Sequence, residues 1–177
     1  WGVYMKKPLP FWQFAGFVFT GVFGTLLHFL YDWTGTDFSA LFSGVNESTW
    51  EHMKLLFFPM FIFAVFQSFY FAKEYGNFWC AKLIGILTGL IVIPTIYYTY
   101  KGALGISVDW FNILIFYIAA AVGFIVETRF MKNEKNFCKS PLAVIILCAI
   151  AVLFFIFTFE PPKIPLFMDH ITKTYGI

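Results

Sequence analysis

The chain has 177 residues, of which 60% are hydrophobic, 23% aromatic and only 12% charged. A soluble globule of this size needs far more polar surface, so the composition excludes a soluble domain and indicates an integral membrane protein. The formal net charge of +2 is small and the basic residues are dispersed, which argues against a nucleic-acid partner.

Apolar stretches long enough to cross a membrane, which takes roughly 20 residues of helix, recur along the chain. They lie at about 10–31, 53–72, 78–100, 110–130 and 141–159. We therefore predict an all-α integral membrane protein, with a single five-helix domain over residues 1–177. Pro59 and Pro94 are expected to kink the second and third spans. Gly85 and Gly89 have the spacing of a close helix contact.

The predicted orientation follows from the cations, because loops rich in lysine and arginine stay in the cytoplasm. With the N-terminus inside, eight of the 12 lysines and arginines fall on the cytoplasmic side. We predict a bacterial cytoplasmic (inner) membrane protein with a cytoplasmic N-terminus and an extracytoplasmic C-terminus. All three histidines, at positions 28, 52 and 170, then lie at or near the outer face. The three cysteines fall in the membrane or on its cytoplasmic side, so no disulfide is expected.

Two segments are expected to cover the outer end of the bundle. The first outer loop contains the apolar stretch 38–42 between Gly35 and Gly44, interpreted as a short interfacial or re-entrant segment. The tail from Glu160 is too rich in proline to form another span. Its apolar side chains suggest an extended C-terminal strap that lies back over the outer mouth.

The densest group of polar residues is Val45-Asn46-Glu47-Ser48-Thr49-Trp50-Glu51-His52-Met53-Lys54, which leads into the second span. Ser48 and Glu51 match a capping box, in which Ser48 caps the helix and Glu51 reaches back to the backbone. In a competing register Asn46 is the N-cap. Capping accounts for most of this stretch and leaves His52 free for a further role.

Histidines and carboxylates at the outer face form the candidate site. His28 and Asp32 are four residues apart on one helix face, so the carboxylate could orient the imidazole, or the pair could simply reach headgroup water. A short connection between the first two spans should bring His28 and His52 together. The candidate catalytic residues, and equally the candidate ligands of a divalent zinc, iron or manganese ion, are His28, Asp32, Glu51 and His52. The candidate ligand-binding residues are Asn46, Glu47, Trp50, Asp109 and Asp169.

Two charged residues fall inside the spans, near the predicted inner side. Lys82 lies in the third span and Glu127 in the fourth. A pair across these helices would neutralise two costly charges. We interpret the pair as structural, with a relay role as the alternative.

The stretch 45–54 with Leu55 to Pro59, together with the ending 164–177, resembles a bacterial multi-pass membrane protein family of unknown function with the pattern V-N-E-S-x-W-E-H-x-K. This resemblance covers essentially the whole chain and implies no activity. An architecture-level similarity is to the sterol-isomerase and sigma-2-receptor group. His28-x-x-x-Asp32 stands where that group has His-x-x-x-Glu, and the similarity implies a membrane pocket lined by acids.

We expect an outward-facing His/carboxylate pocket between the first, second and fourth spans, binding or transporting a small amphipathic or lipid-like ligand. One alternative is a metal-assisted membrane enzyme acting on a lipid or isoprenoid-like substrate. Another is an accessory subunit of a membrane complex. The expected partners are membrane lipids, the ligand and, as one option, a second copy of the chain on the Gly85/Gly89 face.

Overall fold

A computed structural model of the protein describes residues 8–133 and 138–177. The helices are α1 (Leu9–Thr34), α2 (Asp37–Ala40), α3 (Thr49–Phe71), α4 (Phe78–Leu104), α5 (Asp109–Met131) and α6 (Ser140–Phe159), followed by a 3-10 turn at Pro165–Phe167. Within this described part, five helices, all but α2, are long and apolar enough to cross a membrane. This finding indicates a multi-pass membrane protein.

The predicted spans are confirmed as helices, and the largest differences in their bounds have a common cause. The second span was predicted from 53 but α3 begins at Thr49; the third was predicted to 100 but α4 continues to Leu104. Both extensions are helical turns that consist mostly of polar or small residues, so a prediction from hydropathy does not include them in the spans. Ser48 caps the first, and Gly105, with φ at 71°, ends the second in the left-handed conformation that glycine favours.

α3 is the most enclosed of the long helices, and α4 packs closely against α5. A Cβ added at Gly85 would lie 2.7 Å from the backbone oxygen of Gly123, and one at Gly89 would lie 3.2 Å from that of Ala119. The predicted close contact is thus confirmed, but it joins two helices of the same chain. The Gly85/Gly89 face packs on α5 of the same chain, and a second copy of the chain as a partner stays a prediction.

Two buried charges in the spans, Lys82 and Glu127, form a pair. Lys82 Nζ lies 2.6 Å from Glu127 Oε2, and both side chains are completely buried. Lys82 also donates to Gln67, and Gln13 donates to Glu127 Oε2 at 3.3 Å. The predicted Lys82–Glu127 pair is confirmed, and this Lys82 cluster (Gln13, Gln67, Lys82 and Glu127) ties α1, α3, α4 and α5 together.

A disulfide joins Cys80 and Cys138, whose Cα atoms are 6.0 Å apart, while Cys148 is free and exposed. The expectation of no disulfide was wrong. The two cysteines are 58 residues apart in sequence, and only the return of the chain to α6 beside α4 brings them together. Disulfides persist in oxidising compartments, whereas the cation count assigns this end of the bundle to the cytoplasm. The orientation stays a prediction, and three of the lysines it counts, Lys6, Lys7 and Lys135, lie outside the described residues.

At the other end, which we call the histidine end, α1, α4 and α6 finish and α3 and α5 begin. The loop after α1 folds back on the bundle there. Ser43 accepts a hydrogen bond from the Tyr31 amide at 2.9 Å and donates to the Leu27 carbonyl. The short helix α2 occupies part of the predicted apolar stretch, with Ala40 fully buried and Phe38 exposed.

Candidate functional site

Ser48 is the N-cap of α3, as the first of the two registers predicted. Its Oγ accepts from the Glu51 amide at 3.3 Å, while Asn46 Oδ1 accepts from the Ser48 amide at 2.9 Å and shapes the preceding turn. The Glu51 carboxylate does not return to Ser48. It accepts from the Val45 amide at 3.1 Å and lies 2.5 Å from Lys54 Nζ.

Lys54 is completely buried and connects three segments of the histidine end. Besides its pair with Glu51, its Nζ donates to the Ala40 carbonyl and to Thr158 Oγ1, each at 2.8 Å. The ammonium therefore joins the α2 loop, α3 and the last turn of α6. Glu51 is part of this scaffold.

Glu47 lies between two imidazoles. Its Oε1 is 3.7 Å from His28 Nε2 and its Oε2 is 3.5 Å from His52 Nε2. The two rings have centroids 5.7 Å apart. The expected meeting of His28 and His52 is confirmed, with Glu47 as the carboxylate that faces both.

The tail brings the third histidine to Glu47. His170 Nδ1 lies 2.5 Å from the Glu47 carbonyl oxygen, and the Glu47 amide donates to Asp169 Oδ2 at 3.5 Å. Asn46 Nδ2 donates to the Gly176 carbonyl at 3.0 Å. The tail therefore holds the backbone of Glu47 from both sides. We call His28, Glu47, His52 and His170 the His–Glu47 cluster.

The tail is folded rather than extended, which corrects the expected form of the strap. After the 3-10 turn, Met168 and Tyr175 pair as an isolated antiparallel bridge. Asp169 organises the turn between them by accepting from the Ile171 amide at 2.7 Å and the Thr172 amide at 3.2 Å. Burial raises the pKa of Asp169, but these hydrogen bonds together hold its pKa below the ordinary value.

Two of the imidazoles have a defined tautomer when neutral. His52 Nδ1 lies 2.9 Å from the Ser48 carbonyl oxygen, and His170 Nδ1 faces that of Glu47. A carbonyl only accepts, so Nδ1 carries the proton and Nε2 carries the lone pair. The Nε2 lone pair of neutral His52 then faces the Glu47 carboxylate and repels it. A proton held between Nε2 and the carboxylate would replace this repulsion by a hydrogen bond. This arrangement suits acid–base chemistry.

A small cavity of about 30 Å³ adjoins the cluster, lined by Glu47, His52, His170 and Asn112 among others. That volume holds a water molecule, since one needs about 10–15 Å³. It is too small for a lipid-like ligand.

Beside this cavity lies a larger one of about 300 Å³, which we call the Lys101 pocket; its lining includes Thr49, Tyr97, Tyr98, Lys101 and His170. His170 and Tyr97 line both spaces. The Tyr98 hydroxyl donates to the Pro165 carbonyl at 2.9 Å, which fastens the tail to α4 at the edge of the pocket.

A third space, of about 520 Å³, runs along α4 between α3 and α6; we call it the α4 groove. Its lining is almost entirely apolar and includes Trp50, Met53, Ile91, Pro94 and Phe154.

The chain matches a family described as "Family of unknown function (DUF6512)" over residues 4–177. The chain belongs to this family. Comparison with curated proteins and with solved structures gives no match. The predicted membership of a family of unknown function is confirmed, while the similarity to the sterol-isomerase group stays a prediction. The function of the family is unknown, so membership assigns no activity to this chain.

The structure gathers some of the predicted site residues and separates others. Asn46, Glu47 and Asp169 lie with the histidines, as described above. Asp32, at the end of α1, and Asp109, at the start of α5, are both exposed. Trp50 packs on the aromatic rings of α6 and the tail and lines the α4 groove.

The predicted metal ligands are not brought together as a set, because Asp32 is exposed and Glu51 is paired with Lys54. Within residues 8–133 and 138–177, no three His, Cys, Asp or Glu side chains are grouped in a way that could hold a metal ion. Metal binding stays a prediction.

Sequence reasoning missed the contribution of the third span. The pocket was expected between the first, second and fourth spans, but Tyr97 and Lys101 of α4 line the Lys101 pocket. Their spacing of four residues was a signal for a shared helix face. Asn112 gave no such signal, because a lone amide in the first turn of a helix is also a common capping residue.

Proposed function

We propose that the protein binds a small amphipathic molecule, with its polar head in the Lys101 pocket and its apolar part in the α4 groove. One observation carries this proposal: both spaces lie on the same face of α4. Residues of the groove and then of the pocket follow each other at helical spacings of three or four, in the order Leu87, Ile91, Pro94, Tyr98 and Lys101.

The start of α3 supports the same continuity. Thr49 lines the Lys101 pocket and its neighbour Trp50 lines the groove. The volumes of about 300 and 520 Å³ lie within the range of about 300–1,000 Å³ that ligand sites occupy. A molecule that spans both would place its polar end beside the His–Glu47 cluster, and we propose that this end faces the extracytoplasmic side. Transport of the same molecule remains part of the proposal.

A second candidate is a membrane enzyme that acts on a lipid or isoprenoid-like substrate. The position of Glu47 between His28 and His52 favours it, because a carboxylate beside an imidazole is a common acid–base arrangement. The predicted zinc, iron or manganese ion belongs to this candidate. Elemental analysis of the purified protein tests it: about one equivalent of metal, lost in His52→Ala, is expected of the enzyme. Absence of metal from both proteins would reject the metal-assisted form.

Contact quenching of Trp50 tests the binding proposal. The protein is placed in phosphatidylcholine nanodiscs and titrated with a dibrominated C18 fatty acid, whose bromines quench indole fluorescence on contact. We expect saturable quenching that is largely lost in Trp50→Phe, because this tryptophan lines the groove. Quenching that is linear in probe, or equal in Trp50→Phe, would contradict the proposal.

A matched pair of variants separates the groove from the general lipid surface. Ile91 of α4 lines the groove and is 63% exposed, whereas Ile113 of α5 is 60% exposed and lies outside it. Ile91→Phe fills the groove and should weaken probe binding about tenfold, while Ile113→Phe should leave it unchanged. Equal effects of the two variants would show that the probe binds the apolar surface at large.

A further inference from the structure

The geometry points to a ligand whose head is an anion, a carboxylate or a phosphate monoester, held by Lys101. This inference rests on the proposed function and names the chemical class of the ligand.

The ammonium group of Lys101 has unused hydrogen-bond donors. Its Nζ donates to the Tyr97 hydroxyl at 2.9 Å and lies 5.0 Å from the centroid of the same ring. An ammonium group has three N–H donors, so two are left for a ligand in the pocket.

Among the described residues, Lys101 also has no carboxylate partner, in contrast to the other enclosed cations. Lys54 lies 2.5 Å from its glutamate and Lys82 lies 2.6 Å from its own. Across the residues that the structure describes, none of the ion pairs includes Lys101, and no acid lines its pocket. The nearby carboxylate of Glu47 lines the neighbouring small cavity and faces His28 and His52.

The position of Lys101 in the last turn of α4 agrees with the helix dipole, which favours cations there. The dipole accounts for the location of the charge but uses none of the free N–H donors. A half-buried ammonium on the same face of α4 as an apolar groove is complementary to an anionic head on an apolar chain, because a charge-assisted hydrogen bond is stronger than a neutral one.

Three probes with the same dibrominated C18 chain test the head group: the carboxylate, the phosphate monoester and the alcohol. Each is titrated by Trp50 quenching in neutral phosphatidylcholine nanodiscs. We expect both anions to bind about tenfold or more tightly than the alcohol, because a hydrogen bond to a charged group is stronger than one between neutral groups. The ratio of the dissociation constants of the two anionic probes shows whether the pocket prefers a carboxylate or a phosphate head.

Lys101→Ala should weaken binding of the anions about tenfold and leave the alcohol unchanged, and Lys101→Arg should restore most of the loss. Lys163→Ala removes an exposed lysine of the tail outside the pocket and controls for net charge. The inference is wrong, while the proposed function stands, if the alcohol binds as tightly as the anions. The same holds if Lys101→Ala weakens binding of the anions no more than Lys163→Ala does. If none of the probes quenches Trp50, both fail.

Discussion

Replacing Lys82 by methionine should destabilise the protein strongly, because it leaves a buried carboxylate without its cation. Lys82 and Glu127 are both 0% exposed and lie 2.6 Å apart. In Lys82→Met, the one donor of the Lys82 cluster that still contacts Glu127 is the neutral side-chain amide of Gln13, at 3.3 Å. Breaking a buried pair from one side costs about 3–5 kcal/mol.

The double variant gives the decisive comparison. Lys82→Met with Glu127→Gln removes both charges and keeps the approximate shape of both side chains, so no uncompensated charge remains. Replacing a buried ion pair by neutral residues is often close to neutral in free energy. We therefore expect the double variant to be more stable than Lys82→Met alone, by about 2 kcal/mol or more, and the two single effects to be far from additive.

Reversible unfolding in mixed micelles, followed by far-ultraviolet circular dichroism, measures these differences. Glu127→Gln alone completes the double-mutant cycle. Lys163→Ala serves as the control for loss of an exposed lysine. A cost below about 1 kcal/mol for Lys82→Met, or additive single effects, would refute the reasoning that a desolvated charge pair holds these helices together.

Three further predictions concern packing, cross-linking and pH. Gly85→Val should destabilise the protein by about 1–3 kcal/mol because its Cβ would meet the α5 backbone. Gly102→Ala, with open space around it, should be neutral or slightly stabilising in the same unfolding assay, since alanine is the better helix former. Polyethylene-glycol maleimide should label one thiol of the denatured, unreduced chain and three thiols after reduction, because Cys80 and Cys138 form a disulfide. Labelling of three thiols without reduction would contradict the disulfide. Since the folded pKa of Asp169 is lowered, its stabilisation of the tail is complete above its ordinary pKa of about 3.9 and is lost as pH falls through the lower folded value. Proteolysis of the tail by an acid protease should therefore rise below about pH 4, and Asp169→Asn should remove most of that pH dependence; an unchanged profile in this variant would assign the effect to another group.

Much of the site could be expected from the sequence because it depends on where helices begin and end. His28 near the end of one span and His52 at the start of the next must share one end of the bundle. The capping role of Ser48 depends only on its neighbours in the chain. The partner of Glu51 was not predictable in this way, because Lys54 three residues on is buried only where the α2 loop and α6 close over it.

The sequence by itself determined the five spans, their alternation and the end at which the histidines gather, because hydropathy and helix caps are local properties of the chain. Only the tertiary structure decided that Glu47 lies between two imidazoles, that Cys80 meets Cys138, and that no acid among the described residues pairs with Lys101. These outcomes depend on which helices pack side by side and on where the tail returns. Packing of that kind joins residues that are far apart in the chain, and no local pattern specifies it.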